Sequence, residues 1–550
     1  MKRLLAIALA TCAGVFGQGQ DFDLVVYGAT AGGVMTAVSG ARHGLKTVLL
    51  EPGRHVGGMA TGGLSRTDVG KREVIGGLAL EFYWLVGQKY DMNRYLNPLA
   101  YFYEPKVGEG VMLDMLKQNG VTLLLRHRLR EKDGVVREGK RVTSITAENG
   151  TKFSGKVFAD CSYEGDLLAQ AGISYTWGRE SSAQYGESLA GVRDRTPFHQ
   201  FAVNVSAKDA SGKLLPEISG EPRAEPGSAD KGVQAYNFRV IATNTPANRV
   251  PWPKPQGYDP KRYELLARLL EAQVKAKGRS PIFHEMTLIA RIPNGKADFN
   301  NNGAFSTDYI GKNYKYPEGS YAERASIWKD HENYVKGYYY FLANDSRVPK
   351  ELQAEVREWG LPKDEYTDTG NWPHQLYVRE ARRMVGEYVV VQKDLQTERT
   401  KPDVIGMGSY NSDSHNVQRL VNAQGFAENE GDMQVPVQPY QIPFRVLLPK
   451  ASESENVLVP VCFSATHVAY SSLRMEPQYM ILGHAAGVAA AFAIRDKAPV
   501  QSVSVEELQK TLKGEGAVFE YVPATEQGRA LDYLKSKYRP KPPARFNWEM

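Results

Sequence analysis

The sequence predicts an α/β fold in which a Rossmann-like domain, non-contiguous along the chain, is interrupted by an inserted mixed α+β lobe. Three observations carry the prediction. A strand–turn–helix–strand pattern starts at Asp23, a β-rich stretch ends at Asp160, and an alanine-rich segment returns near residue 477. With 550 residues the chain is long enough for a large core and more than one lobe.

The first seventeen residues are expected to stand outside that fold. Lys2 and Arg3 precede the apolar run "LLAIALATCAGVF", and Gly17 is a small residue suited to cleavage, the order of a secretory signal peptide. This predicts a secreted or periplasmic protein. Cys12 follows "LAT", which leaves lipidation open, although the threonine argues for simple secretion. Cleavage would lower the formal net charge from +6 to +4, too small an excess to imply a nucleic-acid partner. After the leader no run of eighteen apolar residues occurs, so no integral membrane segment is expected. Cys161 and Cys462 would remain, and their spacing does not tell whether they pair.

In "DLVVYGATAGGVMTA" (residues 23–37), Leu24 to Tyr27 read as a buried strand and the small residues after it open a helix near Ala31. A G-x-G-x-x-G pattern would align Gly28, Thr30 and Gly33, so the middle glycine is replaced and the match alone is weak. Strand two, "KTVLLEP", ends in Glu51, 23 positions beyond Gly28. At that interval a carboxylate accepts both hydroxyls of an adenosine ribose, while the helix N-terminus faces pyrophosphate. Thr30 adds a hydroxyl suited to facing the ligand. Next, "RHVGGMATGGLSRTD" carries Gly57, Gly58, Gly62 and Gly63, two pairs that let the main chain turn beside a bulky ligand. A flavin dinucleotide gives this loop a role that nicotinamide binding alone would not.

"TLLLRHRLREKDG", "KRVTSITAENG" and "KFSGKVFADCSYEGD" predict strands, the last ending at Asp160 where the chain returns to the nucleotide domain. Domains are accordingly expected at 21–180 for the first nucleotide-binding part, 181–435 for a substrate lobe, 436–500 for the return and 501–550 for an extension. Within the lobe, "HQLYVREARRMVGEYVV" predicts an amphipathic helix, and the "YYYF" cluster either packs the lobe or stacks on sugar rings. The return has a strand at Val457 to Val461, then a helix with Pro477 in its first turn and small residues suited to close packing.

The stretches "VVYGATAGG", "VLLEP...VGGMATGGLSRTD", "ADCSYEGDLLAQAG", "YVREARRMVGEY", "GSYNSDSHNVQR" and "VPVCFSATHVAYSSLRMEPQYMILGHAAGVAAA" resemble the secreted FAD-dependent oxidoreductase family, within the glutathione-reductase-like flavoprotein fold. The resemblance implies non-covalently bound FAD. It assigns Gly28 and Gly33 to the phosphate turn, Glu51 to the ribose, the four loop glycines to the cofactor loop, and Ala485, Ala486 and Gly487 to the helix closing near flavin. Some relatives carry a xanthan lyase label, which does not establish lyase chemistry or a substrate.

Two histidines in polar segments are candidates for handling the proton that accompanies hydride transfer: His415 in "GSYNSDSHN" and His467 in "FSATHVAYSS". Arg66, Arg445 and Arg474 are candidates for binding a carboxylate or an anionic oxygen, and Asp413 for orienting His415 or binding a substrate hydroxyl. The expected reaction is oxidation of a polar carbon substrate, a sugar or hydroxy acid, with an unknown acceptor reoxidising the flavin. Flavin-containing lyase, isomerase or hydroxylase chemistry is the enzymatic alternative, and a non-catalytic carbohydrate-binding protein the non-enzymatic one. No H-E-x-x-H, calcium-loop or zinc-spaced cysteine pattern occurs, so no metal is expected.

Overall fold

The computed structural model describes residues 20–92, 98–523 and 525–538; the expected leader and Cys12 lie outside the described residues. The central sheet has seven strands. Strands β1 (Gln20–Tyr27), β2 (Thr47–Glu51), β3 (Thr122–Leu125), β4 (Val135–Glu138), β5 (Arg141–Thr146) and β6 (Lys152–Asp160) lie in the order β3-β2-β1-β6-β5-β4. The return strand Val457–Leu458 pairs in parallel with β6, so the sheet is assembled from two distant parts of the chain. β1 is parallel to both β2 and β6, and its alternate residues serve both faces. Leu24 and Val26 join the main core, while Val25 and Tyr27 join a second cluster beneath the sheet.

Helix α1 (Ala31–Arg42) starts where the sequence predicts, because Thr30 is its N-cap: the Thr30 hydroxyl accepts from Gly33 N–H at 3.2 Å. It also donates to the Cys161 carbonyl at 2.8 Å, tying the turn to the end of β6. The hydroxyl expected to face a ligand thus also carries a structural role. α1 packs on the return helix Glu476–Asp496 through small residues. A Cβ on Gly483 would lie 2.2 Å from the Gly32 carbonyl oxygen, and one on Gly487 would lie 2.5 Å from Ser39 Cβ. Pro477 occupies the first turn of the return helix, as the sequence predicts. The helix is apolar and long enough to cross a membrane, yet its residues from Glu476 to Ala493 are all buried against the rest of the fold. Cys161 and Cys462 are both free and buried.

The intervening region contains a three-stranded antiparallel sheet, with Lys296–Asn301 between Thr287–Ile292 and Val240–Thr243. Its longest helix, Tyr321–Asn344, opens with a capping box in which Ser320 and Glu323 satisfy each other's backbone N–H groups. The tyrosine cluster on this helix is core rather than a sugar platform. Tyr338, Tyr339 and Phe341 are fully buried, and Tyr339 stacks on Trp252 at 4.4 Å.

The helix expected within "HQLYVREARRMVGEYVV" does not form. That segment is extended, with only Arg383–Met384 entering a sheet, paired to Tyr175–Thr176. The apparent polar face is buried and committed in several directions. Arg379 pairs with Asp308 at 2.9 Å, Arg382 with Asp166 at 2.7 Å and Arg383 with Glu180 at 2.6 Å. Helical periodicity would have turned these charges to solvent; buried ion pairs override it.

Candidate active site

At the carboxyl ends of β1 and β2 lies a cavity of about 290 Å³ whose walls include Gly28, Thr30, Glu51, Pro52, Gly53, His55, Gly58, Ser162, Tyr163, His374 and Gln375. This is where ligands sit on a parallel sheet whose strand order reverses. Gly28 takes φ of +94°, and a Cβ there would lie 2.7 Å from Ser162 N, so only glycine lets the turn pass under the end of β6. Gly33 is required by the same turn, since its Cβ would fall 1.9 Å from the Gly28 carbonyl oxygen.

Glu51 is held by its neighbours: Oε2 accepts from Ala29 N–H at 2.9 Å and Oε1 from Gly53 N–H at 2.6 Å. Burial pushes its carboxyl up to about 7 despite those two donors. Of the loop glycines, Gly57, Gly58 and Gly63 have positive φ; a Cβ on Gly62 would instead collide with Gln375 Cβ at 2.3 Å. His374, stacked on His55 at 4.0 Å, has both ring nitrogens sealed from solvent without hydrogen-bond partners. Burial, reinforced by the adjacent His55 and Arg54 charges, lowers it to about 3, so it is a neutral imidazole in the cavity wall.

Asp160 and the Ala485–Gly487 stretch do not line this cavity. The Asp160 carboxylate accepts from Ser162 N–H, Ser162 Oγ–H and Leu168 N–H, fixing the loop after β6. Ala485, Ala486 and Gly487 are buried in the middle of the return helix, and the Gly487 side of it abuts α1. Both features act through the backbone they position.

The second centre is a buried charge cluster. His415 Nδ1 lies 2.7 Å from Asp308 Oδ2, and Asp308 pairs with Arg379 at 2.9 Å. That contact assigns the Nδ1–H tautomer and leaves Nε2 with its lone pair. Nε2 has Asp413 Oδ2 at 3.8 Å, beyond hydrogen-bond reach. Burial and Arg379 together lower His415 to about 4, outweighing Asp308. Burial raises Asp308, but Arg379 and His415 more than offset it and hold the carboxyl well below the usual range.

Arg474 donates to Tyr377 Oη at 2.9 Å and to the Asp413 carbonyl at 2.6 Å; its Nε, like Arg379 Nε, is buried without a partner. Both guanidinium groups lie over the Tyr377 ring, at 5.7 and 4.7 Å. The segment from His374 to Arg379 joins cavity to cluster, and five extended residues span at most about 18 Å.

The other sequence candidates lie elsewhere. His467 is locked into structure: Nδ1 contacts Glu380 Oε2 at 2.8 Å and its N–H donates to Glu180 at 2.9 Å, with burial lowering the ring to about 3. Arg66 is exposed over the Phe102 ring, at 5.5 Å. Arg445 forms a fork onto Asp403 at 2.9 and 3.1 Å and covers Tyr388, making no contact with the cluster. Among the described residues, one group of carboxylates, Glu104, Asp364 and Glu365, is close enough to hold a cation. The Lys296 ammonium fills it, at 2.6, 2.7 and 2.6 Å.

Residues 23–512 match the family model described as FAD dependent oxidoreductase. The chain belongs to this FAD-dependent oxidoreductase family. It is an enzyme that binds FAD, on a Rossmann-like fold. Among solved structures, the oxidoreductase is similar to OxyS anhydrotetracycline hydroxylase from Streptomyces rimosus, at 17% identity and a TM-score of 0.23, covering 37% of this chain and 40% of that one. It is also similar to thioredoxin reductase from T. acidophilum, at 16% identity and a TM-score of 0.17, covering 26% and 35%. The chain thus spans less than half the length of each. No curated protein matches.

The residues present fit FAD. Glu51 and the α1 N-terminus suit ribose and pyrophosphate, and the unpartnered His374 nitrogens offer a donor and an acceptor in the same wall. Sequence reasoning missed Asp308, Arg379, Tyr377 and His374. The signal for Arg379 was present: charges in "YVREARR" interrupt an apolar context, a pattern read as an exposed helix face rather than as buried pairs.

Proposed function

We propose that this flavoenzyme oxidises a hydroxyl-bearing carbon of a small polar substrate, a hydroxy acid or sugar, with His415 as the base. The observation that carries the reading is the His415 ring itself. Asp308 holds Nδ1–H, the imidazole is neutral, and Nε2 retains a lone pair beside two buried arginines. FAD when bound supplies the hydride acceptor, at N5. His415 Nε2 takes the hydroxyl proton as the carbon–hydrogen bond gives up its hydride, so the alcohol becomes a carbonyl with loss of two hydrogens. Arg379 and Arg474 favour an oxygen that becomes anionic on the way, and a substrate carboxylate would use the same donors. An external acceptor must then remove two electrons from the reduced cofactor. The basic-apolar-small leader supports secretion or periplasmic residence as part of this proposal.

Anaerobic stopped-flow mixing with a panel of hydroxy acids and sugars tests the reading, with products analysed by mass spectrometry. Bleaching of the flavin band with a product two hydrogens lighter is expected. A product that gains oxygen, or one of unchanged total mass, would replace oxidation by hydroxylation or by lyase or isomerase chemistry.

A further inference from the structure

Beside the nucleotide cavity lies a second one of about 420 Å³, and Pro52, Arg128, Glu164 and Trp328 border both, so the two adjoin. They differ in chemistry. The first has the glycine turn and Glu51; the second adds Tyr27, Tyr316 and Tyr321 to Trp328 and Arg128. Trp328 and Tyr321 come from the long helix Tyr321–Asn344 of the intervening region, not from the nucleotide-binding sheet.

We propose that the second cavity receives the adenine of FAD, with Trp328 as its outer wall. A ribose bound by Glu51 must carry its base past Pro52, the next residue, and Pro52 borders both cavities. The shared zone has what a purine requires. Indole and guanidinium planes stack on a base, and the Glu164 carboxyl can accept from an exocyclic amine. Trp328 is braced from behind by Phe238, edge to face at 6.1 Å. Glu164 is fixed by Tyr316, whose hydroxyl donates to Oε1 at 3.0 Å.

The helix is already moored to the sheet side of the site. Arg324 pairs with Asp166 at 2.8 Å, Tyr321 Oη–H donates to the Leu129 carbonyl at 2.9 Å, and Arg128 covers the Tyr321 ring at 4.3 Å. FAD would therefore bridge two structural units, with its adenine end gripped by the intervening region and its phosphates by α1. A cofactor without adenine would miss this grip.

Calorimetric titration of apo-protein, prepared by removing FAD from the purified holoenzyme, reads this directly. ADP should bind the wild type in competition with FAD. Trp328→Ala should weaken both ligands by roughly 5- to 150-fold, the range for losing one base–aromatic stack, and Trp328→Phe should recover most of the loss. FMN affinity should be the same in all three proteins. Photolabelling of the wild-type apo-protein with 8-azido-ADP keeps the test independent of how the variants fold. The label is expected within residues 321–329, which include the tryptic peptide Ala325–Lys329. An unchanged ADP affinity in Trp328→Ala, or a label confined to other segments, would overturn the assignment. ADP binding to FAD-loaded enzyme at the same peptide would also overturn it, by making the second cavity a separate nucleotide site. Apo-protein that takes up FAD but not ADP would move the adenine out of this cavity while leaving the cofactor in place.

Discussion

His415 Nδ1 and Asp308 Oδ2 meet at 2.7 Å across 107 residues of chain, and this contact orients the imidazole. Asp308→Asn keeps the volume but replaces the acceptor that selects the Nδ1–H tautomer. It should lower kcat by about 10²-fold or more while the bound-flavin spectrum stays unchanged. Because His415 is lowered to about 4, the acid limb of the wild-type pH–rate profile should fall near 4 rather than near 6.5. A full-rate Asp308→Asn enzyme would remove His415 from the reaction.

With the FAD ribose on Glu51, cofactor affinity should depend on pH. Only its ionised form accepts from both ribose hydroxyls, and burial raises its carboxyl to about 7. Affinity should therefore weaken as pH falls from 8 to 6. Glu51→Gln should bind less tightly at pH 8 and lose this slope, as read by fluorescence titration of apo-protein. A wild type with flat affinity across that range would deny Glu51 the ribose.

Glu476, at the start of the return helix, accepts from Tyr163 Oη–H at 2.8 Å and has its other oxygen buried without a partner. Burial raises it to about 8 from an ordinary 4.5. A carboxyl raised on folding holds its proton longer in the native state. Its stabilising contribution is complete below pH 4.5 and is lost progressively up to pH 8, by roughly a few kcal/mol. Glu476→Gln keeps the acceptor and never ionises, so its melting temperature should overtake the wild type's as pH rises across that window. A constant difference between the two curves would show Glu476 to be unperturbed.

Gly483→Ala tests the helix seam behind the cavity. The added methyl would sit 2.2 Å from the Gly32 carbonyl oxygen, a backbone atom that cannot step aside alone. Overpacking of this kind typically costs about 1–3 kcal/mol. Melting temperature should drop, and FAD should be released more readily because α1 presents the phosphate turn. Wild-type values for both would mean that the seam yields without cost.

The nucleotide half was legible because its signals are local. A buried apolar strand and the small-residue turn after it are written within a few residues, and an acid stands at a fixed interval beyond them. Thus β1, α1 and the end of β2 at Glu51 follow from the text of the chain, whereas the capping role of Thr30 does not. His415 was legible as a polar histidine, whereas Asp308 was not, because nothing within "NNGAFSTDY" marks it until the fold brings His415 to it. Arg445 and His467 looked equally suitable, and only their partners Asp403 and Glu380 distinguish them as structural. The extended path from His374 to Arg379 was misread for a related reason. Periodicity identifies a polar face but not whether its charges meet water or one another.

The return strand has a consequence for biosynthesis. Asn456, just before Val457, donates to the Lys156 carbonyl across 300 residues, and Val457 and Leu458 then complete the C-terminal half of β6. At about 5–20 residues per second, a ribosome needs roughly 15–60 s to deliver that strand after making its partner. For that interval the nascent chain holds β6 with the C-terminal half of one flank unpaired and α1 without the helix that covers its glycines. The nucleotide half, although begun first, is completed only after the intervening region, and its fold is ready for a cofactor only once the return strand and helix have been made.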